Sequence, residues 1–117
     1  METIKFTYNW NKKLETDVFT TIRLENTHKY HLGEQYLLRL MERGRMIDRG
    51  VGEIIAITPI KLIQLKLYAA WLDTGYDLTA TKDIIYKMYP GTDWQKQNLY
   101  YMLIRKVKKR NETGKLF

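Results

Sequence analysis

Phe19-Thr20-Thr21-Ile22-Arg23-Leu24 sets two hydroxyls and a guanidinium among β-branched and apolar residues, which is the composition of a strand. Side chains alternate across a strand, so Thr21 and Arg23 share one face while Thr20, Ile22 and Leu24 share the other. A hydroxyl beside a fork-shaped cation suits an anion or a planar polar ligand. The same residues also suit an ordinary edge strand, where Thr and Arg are common.

Working outward from that strand, Ile4, Phe6 and Tyr8 alternate with Lys5 and Thr7 and predict a first strand ending at Trp10. Asn9 or Asn11 caps a short helix through residues 12–18, with Leu14 and Val18 four apart on its buried side. Residues 25–33 are polar, lack a period and finish on Gly33, a loop that carries both histidines of the chain. With no third histidine and no cysteine, His28 and His31 read as solvent-facing residues rather than metal ligands. Residues 34–41 form a strand apolar on both faces, Arg43-Gly44-Arg45 a turn, and Asp48-Arg49-Gly50 a second turn or a bulge within a long hairpin. Ile54 to Ile57 make the most apolar strand, which Pro59 bends or places at an edge, and residues 60–65 continue in extended or mixed form.

The hydrophobic period then lengthens from two to about 3.6. Leu67, Ala70 and Trp71 define a helix stopped by Gly75, with Trp71 assigned to the core. A second helix, capped by Asp77 or Thr79, buries Ile84, Ile85 and Met88 before Tyr89-Pro90-Gly91 ends it. Residues 93–98 connect to a last strand over 99–106. The order of elements predicts an α+β domain with a strongly curved or closed sheet and two to three flanking helices.

The chain has 117 residues, 44% of them hydrophobic, enough for one domain with its own core. We assign residues 1–110 to that domain and 111–117 to a mobile tail. The absence of cysteine excludes disulfides, thiolate metal sites and a Cys nucleophile. No apolar run has membrane-spanning length and no signal-peptide pattern opens the chain, so a cytoplasmic location is the default expectation. Residues 105–117 supply +5 of the net charge of +7, which confines the basic character to the C-terminal strand end and tail. No Gly-rich phosphate loop, zinc spacing or nucleophile elbow is present, and no cofactor or metal is implied.

Several short landmarks in order resemble the ASCH family, small domains of the PUA-like β-barrel superfold. Phe19 to Arg23 looks like the family's T-x-R strand, and Tyr30 through Gly33-Glu34 like the loop, glycine and acidic residue that lead into the next strand. Gly52 to Ile57 resembles the strand before the helices, and Leu72-Asp73-Thr74-Gly75-Tyr76 the turn between them. Tyr89-Pro90-Gly91 resembles the end of the second helix and Leu99 to Arg105 the closing strand. The resemblance implies a cleft beside the barrel that binds RNA. Some relatives are amidohydrolases that remove the acetyl group from acetylated cytidine with a lysine, a threonine and a glutamate, and others are reported as ribonucleases. Here Thr21 matches the threonine and Arg23 the arginine two places on. The lysine position is Val18, and the glutamate position falls at Thr74 with Asp73 beside it. Valine can neither donate a proton nor activate a nucleophile, and the spacing of Lys12 and Lys13 from Val18 gives no reason for either to replace the lysine.

Three functional readings follow. In the leading one, a cleft near Thr21, Arg23 and Asp73 takes a nucleotide or single-stranded RNA. An aromatic from Trp10, Tyr30, Trp71, Tyr76 and Trp94 stacks on a base, with Tyr76 and Trp94 preferred, and Arg105, Lys106 and Lys108 add salt-sensitive affinity. Arg23→Ala then weakens affinity and leaves stability nearly unchanged. The second is a small hydrolase with Thr21 and Asp73 as catalytic residues. The third is a non-catalytic interaction domain in which Arg23 merely pairs with Asp17, Glu25 or Asp73.

Overall fold

The computed structural model describes residues 1–108. Five strands form one sheet: β1 (Thr3–Phe6), β2 (Val18–Leu24), β3 (Gln35–Glu42), β4 (Arg45–Ile60) and β5 (Leu99–Lys106). The expected alternating and doubly apolar stretches are thus strands, but β1 stops at Phe6, short of Tyr8 and Trp10, and β4 runs unbroken from Arg45 through Asp48-Arg49-Gly50 to Ile60. The order is β1-β3-β4-β5-β2, with β1 parallel to β3 and the other pairs antiparallel. The sheet curls into a half-barrel whose two edge strands are β1 and β2. The α+β expectation stands, and a fully closed sheet does not, because the pairing order ends at those two edges.

β3 and β4 form the long hairpin, turning at Arg43 and Gly44, whose φ angles are +50° and +76°. The bulge expected near Asp48-Arg49-Gly50 is present: Leu37 faces Val51 but Arg39 faces Asp48, so β4 carries one more residue than β3 there. β4 pairs with β3 from Arg45 to Glu53 and with β5 from Gly52 to Ile60. Pro59 therefore lies where β4 has a neighbour on one side only, the setting in which a strand tolerates proline.

Two apolar clusters fill the fold. Inside the curl, Ile4, Phe6, Phe19, Tyr36, Leu38, Ile54, Met102 and Ile104 pack with Leu14 and Tyr100. On the other face, Ile22 and Leu99 meet Leu62, Leu65, Ala69 and Ile85 from the helical half. That half comprises a one-turn 3₁₀ helix (Leu62–Gln64), α1 (Leu67–Thr74) and α2 (Leu78–Met88). After Pro59 the chain takes the mixed course expected of residues 60–65: Ile60 ends β4 and the 3₁₀ turn follows. Asp77 caps α2 by accepting a 2.8 Å hydrogen bond from the Ala80 amide, and Gly75 ends α1 at φ +78°.

Three expectations about the helices fail, the burial of Trp71, the helix over 12–18 and the burial of Met88. α1 buries Ala69, Ala70, Asp73 and Thr74, leaving Leu67 and Trp71 half exposed, so Trp71 is not a core residue. Small side chains let the helix approach β2 closely, which a tryptophan on that face would prevent. The helix expected over 12–18 is instead a 3₁₀ segment, Trp10–Glu15, and Val18 begins β2 with its side chain exposed. On α2, Ile85 is buried, Ile84 partly so, and Met88 is exposed at the rim of a cavity. Among the described residues no helix is long and apolar enough to cross a membrane. The expected tail, residues 111–117, lies outside the described residues.

Candidate functional site

Opposed residues of an antiparallel pair share a face. Phe19, Thr21 and Arg23 stand opposite Ile104, Met102 and Tyr100, so all three look into the curl. Thr20 and Ile22 face the helices. Arg23 Nε donates to Thr21 Oγ1 at 3.0 Å, the same-face pair expected from the alternation. Its Nη1 donates to the Lys5 carbonyl at 2.7 Å, and the guanidinium lies 4.6 Å from the Phe6 ring centroid. Arg23 thereby ties β2 to β1 across the open side of the half-barrel.

A cavity of about 240 Å³ occupies that open side. β1 and the residues after it supply Lys5, Phe6, Tyr8 and Trp10; β2 supplies Thr21, Ile22 and Arg23; the helices supply Asp73, Thr74, Ile84, Ile85 and Met88. Lys13 also lines it. Asn11 and Lys12 adopt left-handed φ angles of +55° and +50°, a conformation of order 1–3 kcal/mol above relaxed backbone for non-glycine residues. This double turn directs both Lys13 and Leu14 inward, where an α-helix would place them about 100° apart. Asn9 Oδ1 accepts from the Leu14 amide at 3.0 Å, and Asn11 Nδ2 donates to the Trp71 and Leu72 carbonyls at 3.4 Å each.

Lys13 is 4% exposed and its Nζ lies 2.9 Å from Asp73 Oδ1. Thr20 Oγ1 donates to the same carboxylate oxygen at 3.3 Å. Burial pulls the Lys13 amine below its usual 10.5; Asp73 opposes that shift and the nearby Arg23 adds to it. A buried lysine with a depressed pKa at the wall of a cavity is a common mark of a functional site. Sequence reasoning did not place Lys13 here, since a regular helix over 12–18 gave it no route inward. The signal available was Asn11, because asparagine is the non-glycine residue most at ease in the left-handed region.

Of the residues singled out from the sequence, Thr21, Arg23 and Asp73 come together in this cavity. Tyr76 lies at its edge, packed edge-on to Trp10 with ring centroids 5.9 Å apart. Trp94 is elsewhere, in a groove with Tyr86, Lys61 and Lys82. Tyr30 is buried beside Tyr36 and Tyr100, and burial raises its phenol pKa while Arg23 counters the shift. Arg105, Lys106 and Lys108 line a separate groove at the β2–β5 end. Each has a local partner: Arg105 pairs with Glu53 at 3.5 Å, Lys108 with Asp17 at 3.0 Å, and Lys106 Nζ donates to the Leu14 carbonyl. They do not form one surface with the cavity.

The simple pairing of Arg23 with Asp17, Glu25 or Asp73 is not what the fold builds. Among the described residues no carboxylate forms an ion pair with it. The structural role of Arg23 is the tie to β1, so Arg23→Ala will also lower stability, contrary to the sequence expectation. His28 and His31 are exposed and joined through a 3.0 Å contact of His31 Nε2 with the His28 carbonyl. No cluster of three metal-ligating side chains occurs among the described residues. Comparison of the chain with family models, curated proteins and solved structures finds no match.

Proposed function

We propose that the chain is an ASCH-type, PUA-like domain whose cavity binds a single nucleoside or nucleotide. The observation that carries this reading is an arginine with no carboxylate ion pair among the described residues, beside a buried hydroxyl, in a half-open cavity between two edge strands. The guanidinium donors that Thr21 and the Lys5 carbonyl leave over suit a carbonyl, a base edge or a phosphate, and the bond to Thr21 holds the guanidinium in place for it. A volume of about 240 Å³ is somewhat below the roughly 300–1,000 Å³ of drug-sized sites, a size for one base or nucleoside. Phe6, Ile85 and Met88 offer apolar surface to a base plane, as ligand pockets usually do. Calorimetric titration with nucleoside monophosphates tests it: binding to the wild type and at least a tenfold loss in Arg23→Lys support it. No binding of any of the four common ribonucleotides rejects it. Lysine keeps the charge but not the two-pronged geometry.

A second reading, amide hydrolysis on an acylated nucleoside such as acetylated cytidine, is favoured by the Lys13–Asp73 pair. The absent lysine at Val18 was the main objection from sequence, and Lys13 brings an amine to the same cavity as Thr21 from a different place in the chain. Burial lowers the Lys13 pKa and so eases loss of its proton, and Thr21 and any water in the same cavity are the hydroxyl groups on which such an amine would act. Release of acetate and cytidine from acetylated cytidine, lost in both Lys13→Met and Thr21→Val, carries this reading. Binding without turnover leaves the domain a binding module.

A further inference from the structure

α1 inverts the usual arrangement of a surface helix. Its one charged residue, Asp73, and the neighbouring Thr74 are buried, while Leu67, Tyr68, Trp71 and Leu72 stand between 49% and 66% exposed. At about 100° per residue these four positions fall within about 140° of the helix surface, so they make one continuous face. The buried face is apolar as well, through Ala69 and Ala70, which leaves the helix apolar almost all round, the composition of a helix covered on every side. α2 is the contrast within the same molecule, since its exposed positions include Thr79, Asp83 and Lys87. From the uncovered face of α1 we infer that the domain docks on an anionic lipid surface, with α1 lying in the plane of the interface. The inference is independent of what the cavity holds.

Three observations choose that occupant. The first is side-chain chemistry. Trp, Tyr and Leu are residues that settle at the boundary between headgroups and acyl chains, and the 3₁₀ turn leading into α1 adds Ile63, which is 86% exposed. The second is charge. Between Glu53 and Asp77 the chain has one acid, Asp73, and that acid is buried against Lys13. Asp77 itself is occupied in capping α2. Exposed lysines flank the face at both ends: Lys66 precedes α1, and Lys12 follows Asn11, whose amide bonds the Trp71 and Leu72 carbonyls. Lysines around an apolar face that contains no exposed acid complement anionic headgroups. The third is size. α1 has eight residues and is about 12 Å long, and four side chains are a small part of the roughly 20–30 residues a side that a stable protein interface uses. A second copy docked through the same face would also set these lysines against their own counterparts. A lipid surface needs no large matching patch, because the apolar side chains sink into it while the lysines stay among the headgroups.

The test is co-sedimentation of the full chain with vesicles of phosphatidylcholine alone and with vesicles of phosphatidylcholine and phosphatidylserine in equal parts. The expected result is binding at least about tenfold tighter to the mixed vesicles, and weaker as salt is added. Tyr68→Ala and Trp71→Ala should each weaken it about tenfold, the scale of one aromatic side chain withdrawn from an apolar medium. Both residues are half exposed or more and alanine favours the helix, so the variants are expected to fold, which thermal melting checks. Trp71→Phe should keep the binding. With brominated acyl chains in the vesicles it should lose most of the fluorescence quenching that the wild type shows, because Trp10 and Trp94 belong to other parts of the surface. Mixed-vesicle binding that survives both alanine substitutions is owed to the net charge of +7 alone and overturns the inference. Equal binding to the two kinds of vesicle overturns it too, as does the absence of binding to either. Quenching that is unchanged in Trp71→Phe puts another face on the lipid and overturns docking through α1. If no vesicle binds and sedimentation equilibrium shows a dimer that Trp71→Ala dissociates, the face joins two copies of the chain. If neither lipid nor a second copy occupies it, the inference fails in favour of a protein partner.

Discussion

Lys13 and Asp73 are held 2.9 Å apart with side chains only 5% and 8% exposed. In such a setting the pair's net worth is small, because desolvation offsets most of the attraction, yet removing one partner strands the other. Lys13→Met or Asp73→Asn should each lower unfolding free energy by about 3–5 kcal/mol, read by urea denaturation. The double variant Lys13→Met, Asp73→Leu should lose far less than the two single losses combined, since neither charge is then left alone. An additive double variant would show that the two side chains are not coupled. Proton linkage gives a second signature. Lys13 has its folded pKa below the unfolded 10.5, so between those values the unfolded chain holds more protons and stability rises with pH. Tyr36 acts oppositely: its pKa is raised to about 12, chiefly by burial, so from pH 10 towards 12 the unfolded chain loses the proton first and stability falls. Tyr30 and Tyr101 shift in the same direction as Tyr36. The Tyr36 hydroxyl accepts from the His31 amide at 2.9 Å and reaches the Lys29 carbonyl at 2.7 Å. Tyr36→Phe should therefore lower stability by about 1–3 kcal/mol at pH 7 through the unpaired backbone groups, and flatten part of the alkaline fall in a pH series of chemical denaturations. At this scale the sequence disclosed Thr21 and Arg23, whose roles follow from strand alternation. It concealed Lys13, whose inward direction depends on two left-handed residues that no helical or strand period describes.

The elements were legible wherever one period dominated. α2 is the clearest case: Ile84 and Ile85 and two candidate caps, Asp77 and Thr79, marked it, of which the fold uses Asp77, and Asp77→Ala should destabilise by about 1 kcal/mol, the usual worth of such a cap, measured by thermal melting. α1 shows why periodicity alone was insufficient. Its sequence Leu67-Tyr68-Ala69-Ala70-Trp71-Leu72-Asp73-Thr74 carries large apolar residues on the face that is exposed and small ones on the face that is buried. Ranking residues by hydrophobicity selects Trp71, whereas close approach to β2 selects Ala69 and Ala70. The β3–β4–β5 region was read correctly as strand, but its tightest contact could not be seen from the chain. A Cβ on Gly52 would stand 2.6 Å from Ile104 Cγ2 and 3.0 Å from Leu38 Cδ1. Gly52→Ala should accordingly cost about 1–3 kcal/mol by overpacking, with Gly44→Ala a poor control because its φ of +76° is itself strained for alanine. Gly52 has no such φ, so a loss at that position reports packing alone. An unchanged denaturation midpoint would mean that Ile104 and Leu38 move aside without penalty.

For the whole molecule, the decisive property is that five strands curl without closing. A sheet that closed on itself would hydrogen-bond β1 to β2 and leave no room between them; an open flat sheet would separate them and leave no enclosure. The half-barrel keeps the two edges within reach of one arginine, and the cavity is the gap that this arginine spans. Which strands become edges depends on long-range pairing: the Thr and Arg of β2 suited an edge, as the sequence allowed, but nothing local marked β1 as the other. It follows that Arg23 serves stability and recognition together, and the two roles can be told apart by where the molecule loosens. β1 is four residues long and pairs only with β3, so its remaining hold on the fold is the Lys5 carbonyl bond to Arg23 and the burial of Ile4 and Phe6. Arg23→Lys retains a cation near Phe6 but cannot donate to the Lys5 carbonyl and Thr21 Oγ1 with the same fork. We expect a loss of about 1–2 kcal/mol, one to two hydrogen bonds' worth, and amide exchange that quickens in Thr3–Phe6 while β4 and β5 keep their protection. A ligand that spans the gap should reverse the loosening in the wild type, slowing exchange in β1 and adding about 2.7 kcal/mol at a hundred times its dissociation constant. Faster exchange spread evenly over the sheet would instead mean that Arg23 supports the common core, and that the two edges are held together by packing alone.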